Sequence, residues 1–214
     1  SSNLAICFGA VIPSAEARPK PLVNAAVLLA DGHEIAVQPK SLLPSYDVFD
    51  ERRYFSAATS RRPVSLPGTD KTIGLTVCED TWVDEVDYGV DPVAELADAG
   101  ADVILNLAAS PWHVDKPAKR RNLISELART HGVPIVFVNQ VGGNDELIFD
   151  GGSFVAGSDG RILCQLPLFE TAFHVIDLAA PEPGLELEEV VEPEPVAQLE
   201  AALTLGIRDY FHKQ

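Results

Sequence analysis

The sequence predicts an α/β fold, and three observations support this prediction. Short apolar runs typical of strands alternate along the chain with segments of helical periodicity. Gly100 and Gly132 follow the two internal helical segments, as expected at helix ends. With 46% apolar residues in a chain of 214, a buried core can form. Because helices lie between successive strands, we expect much of the sheet to be parallel and covered on at least one face.

The predicted elements follow from the spacing of apolar and turn residues. Asp31-Gly32 supplies the turn of one hairpin, and Ser158-Asp159-Gly160 supplies that of another. Pro44 prevents one long helix after Lys40, so we predict a loop there that can place side chains in a pocket. The predicted strands, the first of them buried, cover residues 4–12, 24–29, 34–38, 72–78, 102–107, 134–138, 151–156, 161–165 and 172–178. The predicted helices cover residues 92–99, 119–131 and 196–211.

The chain is acidic, with a formal charge of -16 from 32 acidic and 16 basic residues. This charge argues against nucleic acid or an anionic membrane as a partner, because both need clustered cations. Between Pro181 and Glu200 there are seven glutamates and no Lys or Arg. Such a stretch buries little apolar surface, so we predict an exposed Pro- and Glu-rich linker over residues 181–195.

The cysteine pattern predicts a reducing, cytoplasmic setting. Cys7, Cys78 and Cys164 are an odd number without CxxC or metal-ligand spacing. No apolar run approaches the roughly 18 residues that cross a bilayer. No pair of the five histidines has the spacing of a metal site. The sequence begins Ser-Ser and contains no Met, so we expect a piece of a longer protein.

Cys78 is the candidate nucleophile, because it ends a predicted strand and precedes the polar turn of residues 79–82. An open α/β sheet usually exposes its reactive groups at such a strand end. Cys7 and Cys164 lie within strand patterns and are expected to be inert core residues. A thiol of pKa about 8.5 is only a few per cent ionised at neutral pH, so Cys78 needs a neighbouring base or cation.

Lys40 is the candidate for that cation. It ends a predicted strand and begins the loop that contains Pro44, so its ammonium can reach the same sheet edge as Cys78. There it would stabilise a thiolate and face a developing oxyanion. The alternatives are a solvated lysine and an unreactive packed thiol.

Four separated segments carry a family resemblance. They are KSLLPSYDVFDERRYF at residues 40–55, CEDTW at 78–82, NLAASPWH at 106–113 with Lys116 beyond it, and NQVGGNDELIFDGGS at 139–153. Together and in this order they resemble the glutamine-hydrolysing domain of the glutamine-dependent NAD+ synthetase family. That domain belongs to the nitrilase, or carbon-nitrogen hydrolase, superfamily. The resemblance implies a nitrilase-like αββα sandwich and a Glu-Lys-Cys triad.

The resemblance assigns catalytic roles by position. Cys78 corresponds to the nucleophile that attacks the side-chain amide of glutamine, which gives a thioester and ammonia. Lys40 corresponds to the triad lysine, which holds the oxyanion together with the backbone N–H after the nucleophile. Glu51 resembles an accessory glutamate near that lysine, the alternative being a surface partner of Arg52 or Arg53.

The resemblance also implies substrate-binding residues: Tyr46, Glu79, Ser110 and Lys116. Tyr46 and Ser110 suit hydrogen bonds to the amino-acid head of glutamine, and Lys116 suits its carboxylate. The alternative for Ser110 is a turn residue before Pro111.

Two family segments are not found in residues 1–214: the Pro-Glu-Leu segment with the triad glutamate, and the Ser-Gly-Gly-x-Asp-Ser loop for ATP pyrophosphate. We therefore expect an N-terminally truncated glutaminase domain over residues 1–180, the linker over 181–195, and the first helix of a missing synthetase domain over 196–214. We also expect the isolated chain to turn over glutamine poorly. Gly142-Gly143 and Gly151-Gly152 are predicted turn glycines rather than a phosphate loop.

The implied partners are glutamine and further copies of the same chain. No cofactor is expected within residues 1–214, since ATP, Mg and nicotinate adenine dinucleotide would act in the missing synthetase domain. Two alternatives stay open: a free-standing carbon-nitrogen hydrolase that acts on another amide or a nitrile, and a catalytically silent module.

Overall fold

The computed structural model describes residues 4–15, 19–83, 88–178 and 193–213. The chain divides into two compact units, residues 1–108 with 131–133 and residues 109–130 with 134–214. Both units contain strands and helical segments, as the predicted α/β class requires. Most of the predicted linker over residues 181–195 lies outside the described residues.

The first unit begins with a three-stranded antiparallel sheet in the order β1-β2-β3. Its strands are β1 (Ala5–Pro13), β2 (Leu22–Ala30) and β3 (His33–Pro39). The turn between β2 and β3 has φ values of 50° at Asp31 and 78° at Gly32, so the predicted hairpin is confirmed. The prediction of a buried first strand is wrong, because Ile6 is 53% and Val11 58% exposed. Among the described strands, β1 is at the edge of its sheet and pairs with β2 alone.

The rest of the first unit contains a parallel strand pair. The elements are α1 (Glu51–Tyr54), β4 (Val64–Ser65), β5 (Thr72–Val77), α2 (Pro92–Asp98) and β6 (Val103–Ala108). β5 pairs antiparallel with β4 and parallel with β6, which sets Thr76 opposite Asn106. The side chain of Asp91 caps α2 by accepting the N–H groups of Val93 and Ala94. A core of Ala26, Leu28, Ile73, Leu75 and Val77 lies between β2 and β5.

The second unit contains the remaining elements. They are α3 (Lys116–His131), whose last residue belongs to the first unit, β7 (Ile135–Asn139), β8 (Val141–Asn144), β9 (Leu147–Asp150), β10 (Phe154–Ala156), β11 (Ile162–Gln165) and α4 (Pro195–Lys213). β10 pairs antiparallel with both β7 and β11. The rings of Phe137 and Phe154 stack 5.3 Å apart across this pairing.

The hairpin of β8 and β9 was not predicted, and Gly142 and Gly143 lie inside β8 rather than in a turn. The reason is close packing of α4. A Cβ at Gly143 would lie 3.1 Å from Cα of Gly206, and a Cβ at Gly206 would lie 2.5 Å from Ile148. Glycine therefore lets the helix approach the hairpin. Gly151 and Gly152 have φ of 64° and 60°, in the left-handed region that favours glycine, and lie between β9 and β10, where Gly151 forms an isolated bridge with Leu168.

The predicted strand over residues 172–178 is wrong, because this segment has no regular structure. Phe173 is 89% and Val175 76% exposed. The segment is rich in apolar residues, but no described strand pairs with it. An apolar run forms a strand only where a neighbour completes the hydrogen-bond ladder.

The predicted C-terminal helix is confirmed as α4. It packs on β8 and β9, where Ala202 and Leu205 are buried beside Phe169. Asp209 accepts the N–H of Gly143 at 2.8 Å, and Lys213 donates to its carbonyl at 2.6 Å. None of the helices within the described ranges is long and apolar enough to cross a membrane.

Candidate active site

Lys40 follows β3 directly and is held by its backbone on both sides. Its N–H donates to the carbonyl of Asn24 at 2.7 Å, and its carbonyl accepts the N–H of Ala58 at 2.9 Å. The lysine is 2% exposed. A buried ammonium needs a partner, because desolvation of an unpaired charge costs several kcal/mol, on the order of the whole stability of a domain.

That partner is Glu51, the first residue of α1. Its Oε1 lies 2.6 Å from Nζ of Lys40, and its side chain is 15% exposed. Nδ2 of Asn24 donates to Oε2 at 3.5 Å. Glu51 is therefore not a surface partner of the neighbouring arginines. The structure brings together the lysine and the glutamate that the sequence singled out.

Cys78 lies at a sharp turn between β5 and a 3-10 segment of residues 78–81. Its φ of 44° is in the left-handed region, which costs a non-glycine residue about 1 kcal/mol. Its carbonyl accepts Oγ1 of Thr81 at 3.1 Å and Nδ2 of Asn106 at 3.4 Å. Strained backbone that its surroundings enforce is a feature of functional sites.

Asp80 connects the turn of Cys78 with the segment of Lys40. Its Oδ1 accepts the N–H groups of Ser41 at 2.9 Å and Leu42 at 2.8 Å. Its Oδ2 accepts the N–H of Val77 at 3.0 Å. Complete burial raises the pKa of Asp80 to about 6, although these hydrogen bonds and the nearby Lys40 charge act to lower the pKa.

Glu79 is a second buried carboxylate in this turn, at 5% exposure. Its Oε1 accepts two phenol hydroxyls, that of Tyr46 at 2.7 Å and that of Tyr88 at 2.9 Å. Burial, followed by the hydrogen bond to Glu79, raises the pKa of Tyr88. Tyr46 and Glu79, two of the predicted substrate-binding residues, are thus in contact. The hydrogen-bond donors to the Glu79 carboxylate are uncharged hydroxyls.

The other two thiols lie in strands. Burial raises the pKa of Cys7 in β1 to about 11, and it also raises the pKa of Cys164 in β11. Both are therefore thiols at neutral pH and poor nucleophiles.

Ser110 and Lys116 belong to the second unit. Ser110 is 3% exposed, and its N–H donates to Oδ1 of Asn139 at 3.0 Å. Nδ2 of Asn139 donates to Asp150 at 3.1 Å and to the carbonyl of Gly151 at 2.9 Å. Lys116 is the first residue of α3 rather than part of the loop before a helix at 119. A buried amide and carboxylate thus order the backbone of Ser110.

Residues 2–182 match the family model described as carbon-nitrogen hydrolase. The chain belongs to the carbon-nitrogen hydrolase family. This match covers all of the first unit except its first residue, as well as most of the second.

Among the relatives of this carbon-nitrogen hydrolase chain is the glutamine-dependent NAD(+) synthetase of Synechocystis sp. The two are 42% identical over 99% of this chain and 39% of the relative. A solved structure of the glutamine-dependent NAD+ synthetase from Acinetobacter baumannii has a TM-score of 0.84 and 33% identity, and the match covers 98% of this chain and 38% of that one. The chain thus spans about two fifths of these proteins' length.

The fold is shared more widely in the superfamily. An amidase from Nesterenkonia, of the nitrilase superfamily, has a TM-score of 0.63 and 24% identity over 78% of this chain and 58% of its own. At this identity the likeness concerns the fold alone. The predicted nitrilase-like α/β fold is thereby confirmed.

Sequence reasoning missed Asp80, Tyr88 and Asn106. Asp80 is three residues beyond the end of β5, a position from which a carboxylate can cap the preceding N–H, so a local signal existed. Asn106 is the second-last residue of the predicted strand over 102–107, which follows the strand of Cys78, so the sequence also placed it near the same sheet edge. Nothing in the sequence pairs Tyr88 with Glu79, because no periodic element connects them.

Proposed function

We propose that the protein hydrolyses the side-chain amide of glutamine, with Cys78 as nucleophile. The observation that carries this proposal is the buried pair of Lys40 and Glu51, whose segment shares Asp80 with the turn of Cys78. The similarity to glutamine-dependent NAD+ synthetases supports glutamine as the substrate.

The proposed reaction proceeds through a thioester. Sγ of Cys78 attacks the amide carbon of glutamine, and the C–N bond breaks. The leaving nitrogen takes up the proton of the thiol and departs as ammonia. Water then adds to the acyl carbon and the C–S bond breaks, which yields glutamate and restores the thiol. Lys40 stabilises the negative oxygen of both tetrahedral intermediates.

Glu79 is proposed to bind the α-ammonium group of glutamine. Its Oε1 accepts the hydroxyls of Tyr46 and Tyr88, and these two donors carry no positive charge that would offset the carboxylate. Tyr46 would then act by orienting Glu79. For Ser110 and Lys116, binding of the glutamine carboxylate stays a prediction.

In the whole protein, the ammonia would serve the ATP-dependent amidation of nicotinate adenine dinucleotide to NAD+. ATP and Mg would act in the part of the relatives that this chain does not match. The enzyme class that we propose for the whole protein is glutamine-hydrolysing NAD+ synthase. A homo-oligomer and a cytoplasmic location remain predictions, the first of which sedimentation velocity would test.

Covalent labelling tests the proposal without requiring turnover. The purified chain is treated at pH 7.5 with a glutamine analogue that carries a diazoketone, and the modified peptides are identified by mass spectrometry. We expect modification of Cys78 and little of Cys7, whose raised pKa of about 11 lowers its thiolate fraction about a hundredfold relative to an ordinary cysteine. Equal labelling of all three cysteines would contradict a preorganised site.

A protection experiment distinguishes the substrate classes. Glutamine is expected to slow the reaction of Cys78 with iodoacetamide, whereas acetamide, asparagine and propionitrile should not. Protection by the small amide or the nitrile, with none by glutamine, would instead favour a hydrolase for another amide or nitrile. No protection by any of them would favour the silent module.

A further inference from the structure

Asp80 is a buried carboxylate that the proposed chemistry does not use. It is 1% exposed. Its Oδ1 accepts two backbone amides of the segment that follows Lys40, and its Oδ2 accepts the amide of Val77, the residue before Cys78. Along the chain, Asp80 is 38 residues from Leu42 and 39 residues from Ser41, but only three residues from Val77.

We infer that Asp80 is a positioning residue that sets the place of the Lys40 ammonium relative to the Cys78 thiol. This inference rests on the proposed function, because it assumes that the lysine acts on the thiol. Each oxygen of the carboxylate holds one of the two segments, so a single rigid group fixes both of them.

A hydrogen bond from the hydroxyl of Tyr46 to Glu79 at 2.7 Å also joins the loop after Lys40 to the turn of Cys78, but it attaches farther along the loop than Ser41 and Leu42. The backbone of Lys40 is bonded to Asn24 and Ala58. Nη1 of Arg61 donates to Oγ of Ser41 at 3.2 Å, and Arg61 also pairs with Glu95 of α2. These contacts would keep the segment folded without Asp80, but they leave its distance from the nucleophile unspecified.

The substitution Asp80→Asn distinguishes the hydrogen bonds to Val77 from those to Ser41 and Leu42. An ionised carboxylate accepts hydrogen bonds at both oxygens, whereas the amide of the same shape offers one acceptor and one NH2 donor. In either orientation the NH2 group meets an N–H donor of one segment, either Val77 or the Ser41-Leu42 pair. Asp80→Asn is therefore expected to release one segment while preserving the volume of the side chain.

Asp91 offers a matched control. It is also an aspartate of the first unit that holds backbone amides, those of Val93 and Ala94 at 3.0 Å each. Asp91→Ala removes the cap of α2 and destabilises the fold, but it does not touch the segments of Lys40 or Cys78. It therefore reports what lost stability alone does to the thiol.

The test is the pH profile of iodoacetamide alkylation at Cys78, measured by peptide mass spectrometry on the folded full chain. For Asp80→Asn we expect the midpoint of the profile to rise by about one pH unit, with alkylation about tenfold slower at pH 7.5. Asp91→Ala should keep the wild-type midpoint. An unchanged midpoint in folded Asp80→Asn, or an equal shift in Asp91→Ala, would overturn the inference.

The wild-type profile tells the two hypotheses apart. A wild-type midpoint no lower than that of a free cysteine would contradict the proposed function and the inference together. A lowered wild-type midpoint that Asp80→Asn does not change would leave the function standing and remove only the role of Asp80.

Amide hydrogen exchange keeps the test decisive if Asp80→Asn does not fold. In the wild type, the amides of Ser41, Leu42 and Val77 are expected to exchange slowly, as buried bonded amides do. Exchange of the Ser41 and Leu42 amides at the rate of an unstructured peptide would overturn the inference.

Discussion

Asp80 in the first unit and Asp150 in the second are buried to the same extent, 1% and 0% exposed, but their charges are compensated differently. Asp150 faces the guanidinium of Arg120, with Nη1 3.1 Å from Oδ1 and Nη2 2.6 Å from Oδ2. Asp80 instead accepts three backbone amides. A cation neutralises a buried charge, whereas backbone amides that donate to a carboxylate are themselves held in place by it.

The two carboxylates also differ in the parts of the structure that they hold in place. Asp150 acts through a side chain, since it accepts Nδ2 of Asn139, whose Oδ1 accepts the N–H of Ser110. Asp80 acts directly on two backbone segments that carry the proposed catalytic residues. We therefore expect loss of the Arg120 pair to change stability most, and loss of Asp80 to change reactivity most.

The largest stability effect is predicted for Arg120→Met. The methionine fills part of the space of Arg120, whose guanidinium lies 5.3 Å from the ring centre of Phe137, but it leaves Asp150 buried without its cation. Breaking a buried pair in this way costs about 3–5 kcal/mol. Urea unfolding of the purified chain measures the loss of free energy.

Arg129→Met is the matched control for that substitution. Arg129 lies on the same helix, α3, and pairs with Glu126, but the side chains are 62% and 59% exposed. An exposed pair of this kind contributes little, so the urea midpoint should not move measurably. Equal losses in the two variants would show that burial does not distinguish the pairs.

The second prediction concerns the pH dependence of stability. Burial raises the pKa of Asp80 from its ordinary value of 3.8 to about 6, so the folded state binds this proton more tightly than the unfolded state. The contribution of Asp80 to the free energy of unfolding therefore falls as pH rises from about 4 through about 6. Between pH 4.5 and 7.5 the fall amounts to about 2 kcal/mol.

Asp80→Asn isolates this contribution, because every other titrating group is shared with the wild type. The free energy of unfolding of the wild type, minus that of the variant, should be smaller at pH 7.5 than at pH 4.5. A difference that stays constant would mean that the amides and Lys40 offset the cost of burying the charge. The comparison with Asp150 would then lose its electrostatic basis.

The sequence predicted the local features of this site and missed those that depend on distant pairing. Cys78 was found because a strand end followed by polar residues is a local pattern, and the hairpin at Asp31-Gly32 was found for the same reason. Asp80 was placed only in the polar turn after Cys78, because its role requires Ser41 and Leu42 to lie beside it.

The same reason explains the errors in the fold. Residues 172–178 have the apolar content of a strand, but the described chain provides no strand to pair with them. Gly142 and Gly143 were interpreted as turn residues because their neighbours in the sequence do not reveal the contact of β8 with α4. The residues in that contact are far apart along the chain: Gly143 and Asp209 are separated by 66 positions. Local propensity is overridden wherever packing decides.

The smallest effect is predicted for Glu79, a third buried carboxylate, which is held by neutral phenols. Tyr88→Phe removes one hydrogen bond to Oε1 of Glu79 and leaves that of Tyr46, so the loss of stability should be about 1 kcal/mol by urea unfolding. The carboxylate keeps its charge, and glutamine should still protect Cys78 from iodoacetamide. If Tyr88→Phe instead abolished protection, the phenol would itself be part of the substrate site. Glu79 would then resemble Asp80, in that its hydrogen-bond donors, rather than its charge, determine how the site works.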